Sequence, residues 1–111
     1  MHIDSSWHFT THWKATVLIN KCKDYCEGVS RPEGHLVNLS CQVTIEGMPA
    51  ARWAKEVLRP NNLRYHGTKT ERLLNEWLDD KKYSDLLRRV NIVSMDFVSL
   101  SLCQRLYMMN A

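Results

Sequence analysis

The chain has 111 residues, of which 44% are hydrophobic and 24% charged. That balance excludes a disordered or collagen-like chain and leaves room for one domain, residues 1–111, without a second. Fifteen Lys and Arg against twelve Asp and Glu leave a net charge of +3, too small a bias to announce a nucleic-acid binder, which needs a clustered basic face.

Residues 1–6 lack the basic start and apolar stretch of a secretory leader. The longest apolar runs, 16–19 and 98–102, fall far short of the roughly 20 residues of a membrane span. The expectation is a cytoplasmic protein with no membrane role. Residues 15–20 (ATVLIN) are rich in β-branched side chains and read as a short strand. Gly28, Ser30, Pro32 and Gly34 punctuate a loop. Residues 35–46 (HLVNLSCQVTIE) form the clearest strand, with Leu39, Cys41, Val43 and Ile45 on one parity against Asn38, Ser40, Gln42 and Thr44.

Residues 48–59 read as a helix, with Pro49 in its first turn and Ala50, Trp53, Ala54, Val57 and Leu58 as its apolar stripe. Pro60 stops it and a loop carrying His66 runs to Gly67. Thr68 and Glu71 have the spacing of a capping box that opens a second helix, whose buried face is Leu74, Trp77 and Leu78. Leu86, Leu87 and Val90 extend the helical pattern to Arg88 and Arg89, and residues 91–102 (NIVSMDFVSLSL) read as a long strand that 104–109 continues or answers. The expected fold is α+β: an antiparallel β-sheet packed against two helices on one face, in the order β-β-α-α-β(-β).

Four cysteines without a secretory leader suggest free thiols or metal ligands. Cys41 and Cys103 lie in apolar runs and are expected to be buried, whereas Cys22 and Cys26 flank a polar stretch and are expected to be more exposed. The series Cys22, Cys26, His35, Cys41 has the donor types of a tetrahedral zinc site, although its spacing is not that of a common zinc finger. His8 and His12, four apart, lie in a segment with Trp7 and Trp13, where packing or surface roles outweigh ligation. No phosphate-cradling glycine loop, nucleophile elbow or paired-histidine zinc helix is present.

Several short strings resemble the tunnelling fold, in particular the 6-pyruvoyltetrahydropterin and 6-carboxytetrahydropterin synthase family. Phe9-Thr10-Thr11-His12 resembles that family's F-x-A-A-H, whose histidine binds zinc. Cys26 falls where the family places a catalytic cysteine, before an H-G-H pair of zinc ligands that reads Glu33-Gly34-His35 here. Gly47-Met48 resembles the G-M before the first long helix, and 69–78 resembles the start of the second. The resemblance implies zinc held by His12, His35 and Glu33, Cys26 as the catalytic thiol, and Asp96 in the position of a substrate-anchoring acid. It also implies subunits joined through their sheets, and so a homo-oligomer. The family's catalytic L-D-H-x-x-L-N, however, reads Leu58-Arg59-Pro60-Asn61-Asn62-Leu63-Arg64, which removes the Asp–His acid–base couple.

The leading expectation is therefore a small non-catalytic α+β binding or interaction protein, in the size class of phage and mobile-element inhibitors of host systems. It carries no cofactor, contacts a protein partner through Trp7, Trp13 and Trp53, and self-associates. The alternative is a zinc-dependent pterin-type lyase using the residues above. Nucleic-acid binding through Arg88, Arg89 and Arg105 ranks behind both.

Overall fold

A computed structural model describes residues 2–29, 35–44, 48–52, 55, 62–81, 84–95 and 99–109. The chain opens with strand β1 (His2–Ser5), which the sequence reading passed over, followed by the single-turn helix α1 (Trp7–Thr10). Helix α2 (Ala15–Gly28) then crosses to strand β2 (His35–Ser40). Helix α3 (Asn62–Asp79), a 3-10 helix (Ser84–Arg89), strand β3 (Ile92–Ser94) and helix α4 (Leu100–Met108) complete the order. Residues 50–52 and 55 are helical, within the segment expected to be a helix.

The three strands form one sheet in the order β1-β2-β3, and both pairings are parallel. This corrects the antiparallel expectation. Parallel neighbours need a long crossover, whereas antiparallel ones can be joined by a tight turn. The first crossover is made by α2, in the place where a strand was expected. Its β-branched start, 15–20, mimics a strand over six residues. Over the full helix, however, the buried positions are Ala15, Leu18, Ile19, Cys22 and Cys26, a period of three to four that only a helix places on one face. Two consequences invert the expected cysteine exposure: Cys22 and Cys26 are fully buried, and Cys103 is exposed.

The other departures share a cause, local pattern overridden by a longer one. Thr68 and Glu71 lie inside α3, not at its start, and His66 sits within that helix, its ring edge-on to Tyr65 at 5.1 Å. Glu71 instead accepts the Ser99 N–H at 2.7 Å. Ser99 is the N-cap of α4, its hydroxyl accepting from the Leu102 N–H at 3.2 Å. The expected long strand over 91–102 therefore shrinks to three residues. Residues 99–102 belong to the start of a helix, and 104–108 continue that helix, with Met109 as its C-cap, instead of forming a strand.

Register fixes the faces of the sheet. Asp4 pairs with Val37 and Leu39 with Val93, so Val37 and Leu39 point to the layer where α2 packs on α3. There they join Leu18, Ile19, Cys22, Cys26, Cys41, Leu74, Trp77, Leu87, Val90 and Leu102 in one core. Leu39 and Cys41 are buried, as the parity expected for 35–46 requires, but Ser40 on the opposite parity is buried as well, so the alternation ends at Leu39. The opposite face carries exposed Ile3 and Ile92 around a polar row. In that row Ser94 Oγ donates to Asn38 Oδ1 at 2.7 Å, and Asn38 Nδ2 donates to Ser5 Oγ at 3.4 Å. Arg89 donates to the Cys26 and Glu27 carbonyls (3.1 and 2.9 Å) at the end of α2, where the Cys26 carbonyl also accepts the Val29 N–H at 3.3 Å. No helix among the described residues is long and apolar enough to cross a membrane.

Candidate functional site at the carboxyl ends of the strands

In open α/β sheets ligands bind beyond the carboxyl ends of the strands at a reversal of strand order; the sequential order β1-β2-β3 has no such reversal, so this edge is considered for its own residues. Here that edge is built from Ser6 and the 10–14 segment after β1, and from Cys41 to Thr44 after β2. A parallel bridge between His12 and Val43 and a Thr44 N–H to His12 carbonyl bond of 3.2 Å join the two.

The inner part is a closed hydrogen-bond circuit. The Ser40 N–H donates to Ser6 Oγ at 2.8 Å, Ser6 Oγ lies 3.0 Å from Thr10 Oγ1, and Thr10 donates to the Ser40 carbonyl at 2.7 Å. With the Thr10 proton committed to Ser40, the Ser6 proton goes to Thr10. All three residues are buried, so each polar group is matched inside the circuit. The hydroxyls hold the ends of β1 and β2 together and leave no proton on offer to a substrate.

Beneath the circuit, Cys22 Sγ lies 3.6 Å from the Ser40 carbonyl and 3.7 Å from Cys41 Sγ. The contact with Cys41, reinforced by burial, pushes the Cys22 thiol well above its ordinary range. Burial, and then the neighbouring Cys22, push Cys26 up to about 12. Both stay protonated at neutral pH, the opposite of an activated thiol.

The outer part gathers cations around an indole. Lys14 Nζ stands 5.1 Å and the Arg52 guanidinium 5.4 Å from the centroid of the Trp13 ring. The His12 ring stacks on the same indole at 6.2 Å. Its Nδ1 accepts the Lys14 N–H at 3.0 Å, which leaves the proton of the neutral ring on Nε2. Burial, then Lys21 and Lys14, hold His12 below its ordinary value.

Of the expected zinc ligands, the two described histidines do not meet. His12 lies at the carboxyl ends of the strands. His35 opens β2 at the amino end, paired with His2, its Nδ1 3.1 Å from Asp4 Oδ2. The length of β2 alone, ~16 Å, separates His35 from the Cys22–Cys41 pair, so the four-residue Cys–His series does not converge either. Among the described residues no group of three or more His, Cys, Asp or Glu is placed to hold a metal. His12 and His35 are not placed to share the zinc that the resemblance implies, and no catalytic step is derived through it. Glu33, Trp53 and Asp96 lie outside the described residues.

Of the other expected contact residues, Trp7 is 42% exposed and Trp13 only 7%, so Trp13 is a core residue and platform. The arginines considered for nucleic acid are engaged within the chain: Arg88 with Asp85 (3.6 Å), Arg89 with the end of α2, and Arg105 with Asn75 and Asp79 (2.8 and 2.7 Å). Sequence reasoning missed the Ser6–Thr10–Ser40 circuit, whose ends are 34 positions apart, and the approach of Arg52 to Trp13.

No protein-family model, curated protein or solved structure matches the chain. Its class therefore rests on its own architecture: a small mixed helix-and-strand fold on a parallel three-stranded sheet, with a saturated hydroxyl circuit and a cationic rim at the strands' carboxyl ends.

Proposed function

We propose that this protein is a non-catalytic interaction module whose first partner is a second copy of itself, docked through the outer face of α4. The observation that carries the reading is an apolar stripe turned to solvent. Leu100, Tyr107 and Met108 are 74%, 74% and 66% exposed, with exposed Cys103 between them. They recur at helical spacing along one side of a nine-residue helix, whereas a surface helix normally turns such a stripe inward.

A two-fold axis through α4 would lay the stripe on its own copy, since a two-fold contact pairs one patch with itself.

The test is the native mass by light scattering at micromolar concentration. The expected mass is twice 13.0 kDa, falling to the monomer in Tyr107→Glu with an unchanged far-UV spectrum. A monomeric wild-type chain, or a Tyr107→Glu dimer, overturns the reading.

A further inference from the structure

We infer that Cys22 and Cys41 are an oxidisable pair, which a small disulfide such as glutathione disulfide closes into a bond between α2 and the end of β2. Neither residue lies on α4, so the inference is independent of self-association through that helix.

Proximity is the first argument. The two Sγ atoms stand 3.7 Å apart, in direct contact, although their residues are 19 positions apart in the sequence. A disulfide needs about 2.05 Å between its sulfurs, and the approach is shared by two side chains that each turn about a Cα–Cβ bond. The contact is also selective. Cys26 lies one turn further along the buried face of α2, and Cys103 is exposed on α4. Among the described residues, the thiol pair in contact is Cys22 with Cys41.

The surroundings suit the product, which is the second argument. A disulfide is neutral and apolar, and both sulfurs belong to the hydrophobic core. Closure removes the Cys22 thiol proton, whose sulfur lies 3.6 Å from the Ser40 carbonyl. That carbonyl keeps the Thr10 hydroxyl at 2.7 Å, so oxidation leaves no acceptor of the circuit without its donor.

Burial decides when the bond forms. Cys22 and Cys41 are 0% and 1% exposed, and exchange needs an accessible thiolate. The reaction therefore runs in the unfolded or opened chain, and the fold then keeps the product away from reductants. One cysteine thiolate attacks glutathione disulfide, forming a mixed disulfide and releasing one glutathione thiolate. The other attacks the mixed disulfide at the protein sulfur, which forms the Cys22–Cys41 bond and releases the second glutathione. The two electrons lost by the pair reduce the oxidant to two thiols, which take up the two protons.

Placement gives the bond its effect. Cys22 lies in the helical crossover between β1 and β2, and Cys41 opens the segment that bridges to His12 through Val43. The bond adds a covalent tie beside the Ser6–Thr10–Ser40 circuit. It also closes a loop that the unfolded chain otherwise leaves free, which stabilises the folded state.

The experiment refolds the full chain carrying Cys103→Ser, which removes the exposed thiol, in graded glutathione buffers. Quenching by alkylation and mapping by mass spectrometry then identify the linked residues. A Cys22–Cys41 link within one chain is expected. Its equilibrium constant against glutathione should be at least about tenfold larger in the folded chain than in denaturing urea. By the same thermodynamic cycle, oxidation should lower the unfolding constant by that factor, read as a higher urea midpoint. Cys26→Ala in this chain should leave the link in place, whereas Cys41→Ala should leave only the mixed disulfide with glutathione. Predominant pairing through Cys26, or a folded-to-unfolded ratio below about tenfold, would overturn the proposal.

Discussion

Thr10→Val is the sharpest probe of the fold's organisation, because valine keeps the shape of threonine and deletes only the hydroxyl. Thr10 accepts from Ser6 and donates to the Ser40 carbonyl in a fully buried circuit. Valine leaves that carbonyl with the weak Cys22 thiol at 3.6 Å as its side-chain partner and takes the acceptor from the Ser6 proton. A buried polar group left without its partner costs about 1–3 kcal/mol, so the two orphaned groups should together cost about 2–4 kcal/mol. With a urea dependence of about 1–3 kcal/mol per molar, the unfolding midpoint should fall by roughly 1–2 M. The assay is equilibrium urea unfolding followed by tryptophan fluorescence and far-UV circular dichroism. Ser6→Ala breaks the same circuit, so the double variant should cost less than the sum of the singles by about 1 kcal/mol or more. Thr10→Ser should retain most of the stability. A loss below about 0.5 kcal/mol in Thr10→Val, or strict additivity with Ser6→Ala, would refute the closed circuit.

Three further outcomes are expected. Cys26 is pushed up to about 12 from 9.0, so the fold holds a proton that the unfolded chain loses above pH 9. Cys26 should contribute its stability in full below that pH and lose up to about 1.4 kcal/mol per pH unit of it between 9 and 12, on top of the loss from the buried Cys22; Cys26→Ala should reduce the urea-derived slope by about that amount, and equal slopes would contradict the burial argument. For His12 the direction is opposite: its folded value lies below 6.5, so its contribution is present above that pH and lost as pH falls through it. His12→Gln should show a smaller drop in Tm from pH 7 to pH 5 than the wild type, and an unchanged drop counts against this account. In α4, Leu102 is buried while Leu100 is 74% exposed. Leu102→Ala should cost about 3–5 kcal/mol and Leu100→Ala less than about 0.5, whereas a strand would place both on one face and make the two costs alike.

The parts of the fold legible in the sequence are those where one periodicity runs unopposed. Leu74 and Trp77 are buried on α3 and Leu39 and Cys41 on the β2 side, as their spacing indicated. The misreadings arise where a short window satisfies two periods at once. Thr16, Val17 and Ile19 favour a strand by propensity, but the spacing of Leu18, Cys22 and Cys26 extends past that window and burial follows it. Ser99 and Ser101 alternate with leucines as in a strand, yet Ser99 caps a helix. The antiparallel expectation fails with these two elements, because α2 is the crossover and β1 the strand that it connects in parallel to β2. The candidate site was less legible for a different reason. Lys14 adjoins Trp13 in sequence, but Arg52 reaches that indole, and Ser40 reaches Ser6, only through tertiary structure.

The parallel register has a kinetic consequence. Ser5 pairs with a residue 33 positions away, and Ile92 pairs with Asn38 across more than fifty. Among the described strands no hairpin is available to nucleate the sheet, and each strand pair must wait for its crossover to close. Loop closure of that kind is favoured only after the helices have given the strands a surface to dock on. Folding should therefore begin from α2 and α3, whose backbone bonds are local, and the sheet should assemble last, with β2 as an unpaired strand in the meantime. Refolding yield, more than native stability, becomes the property most sensitive to protein concentration.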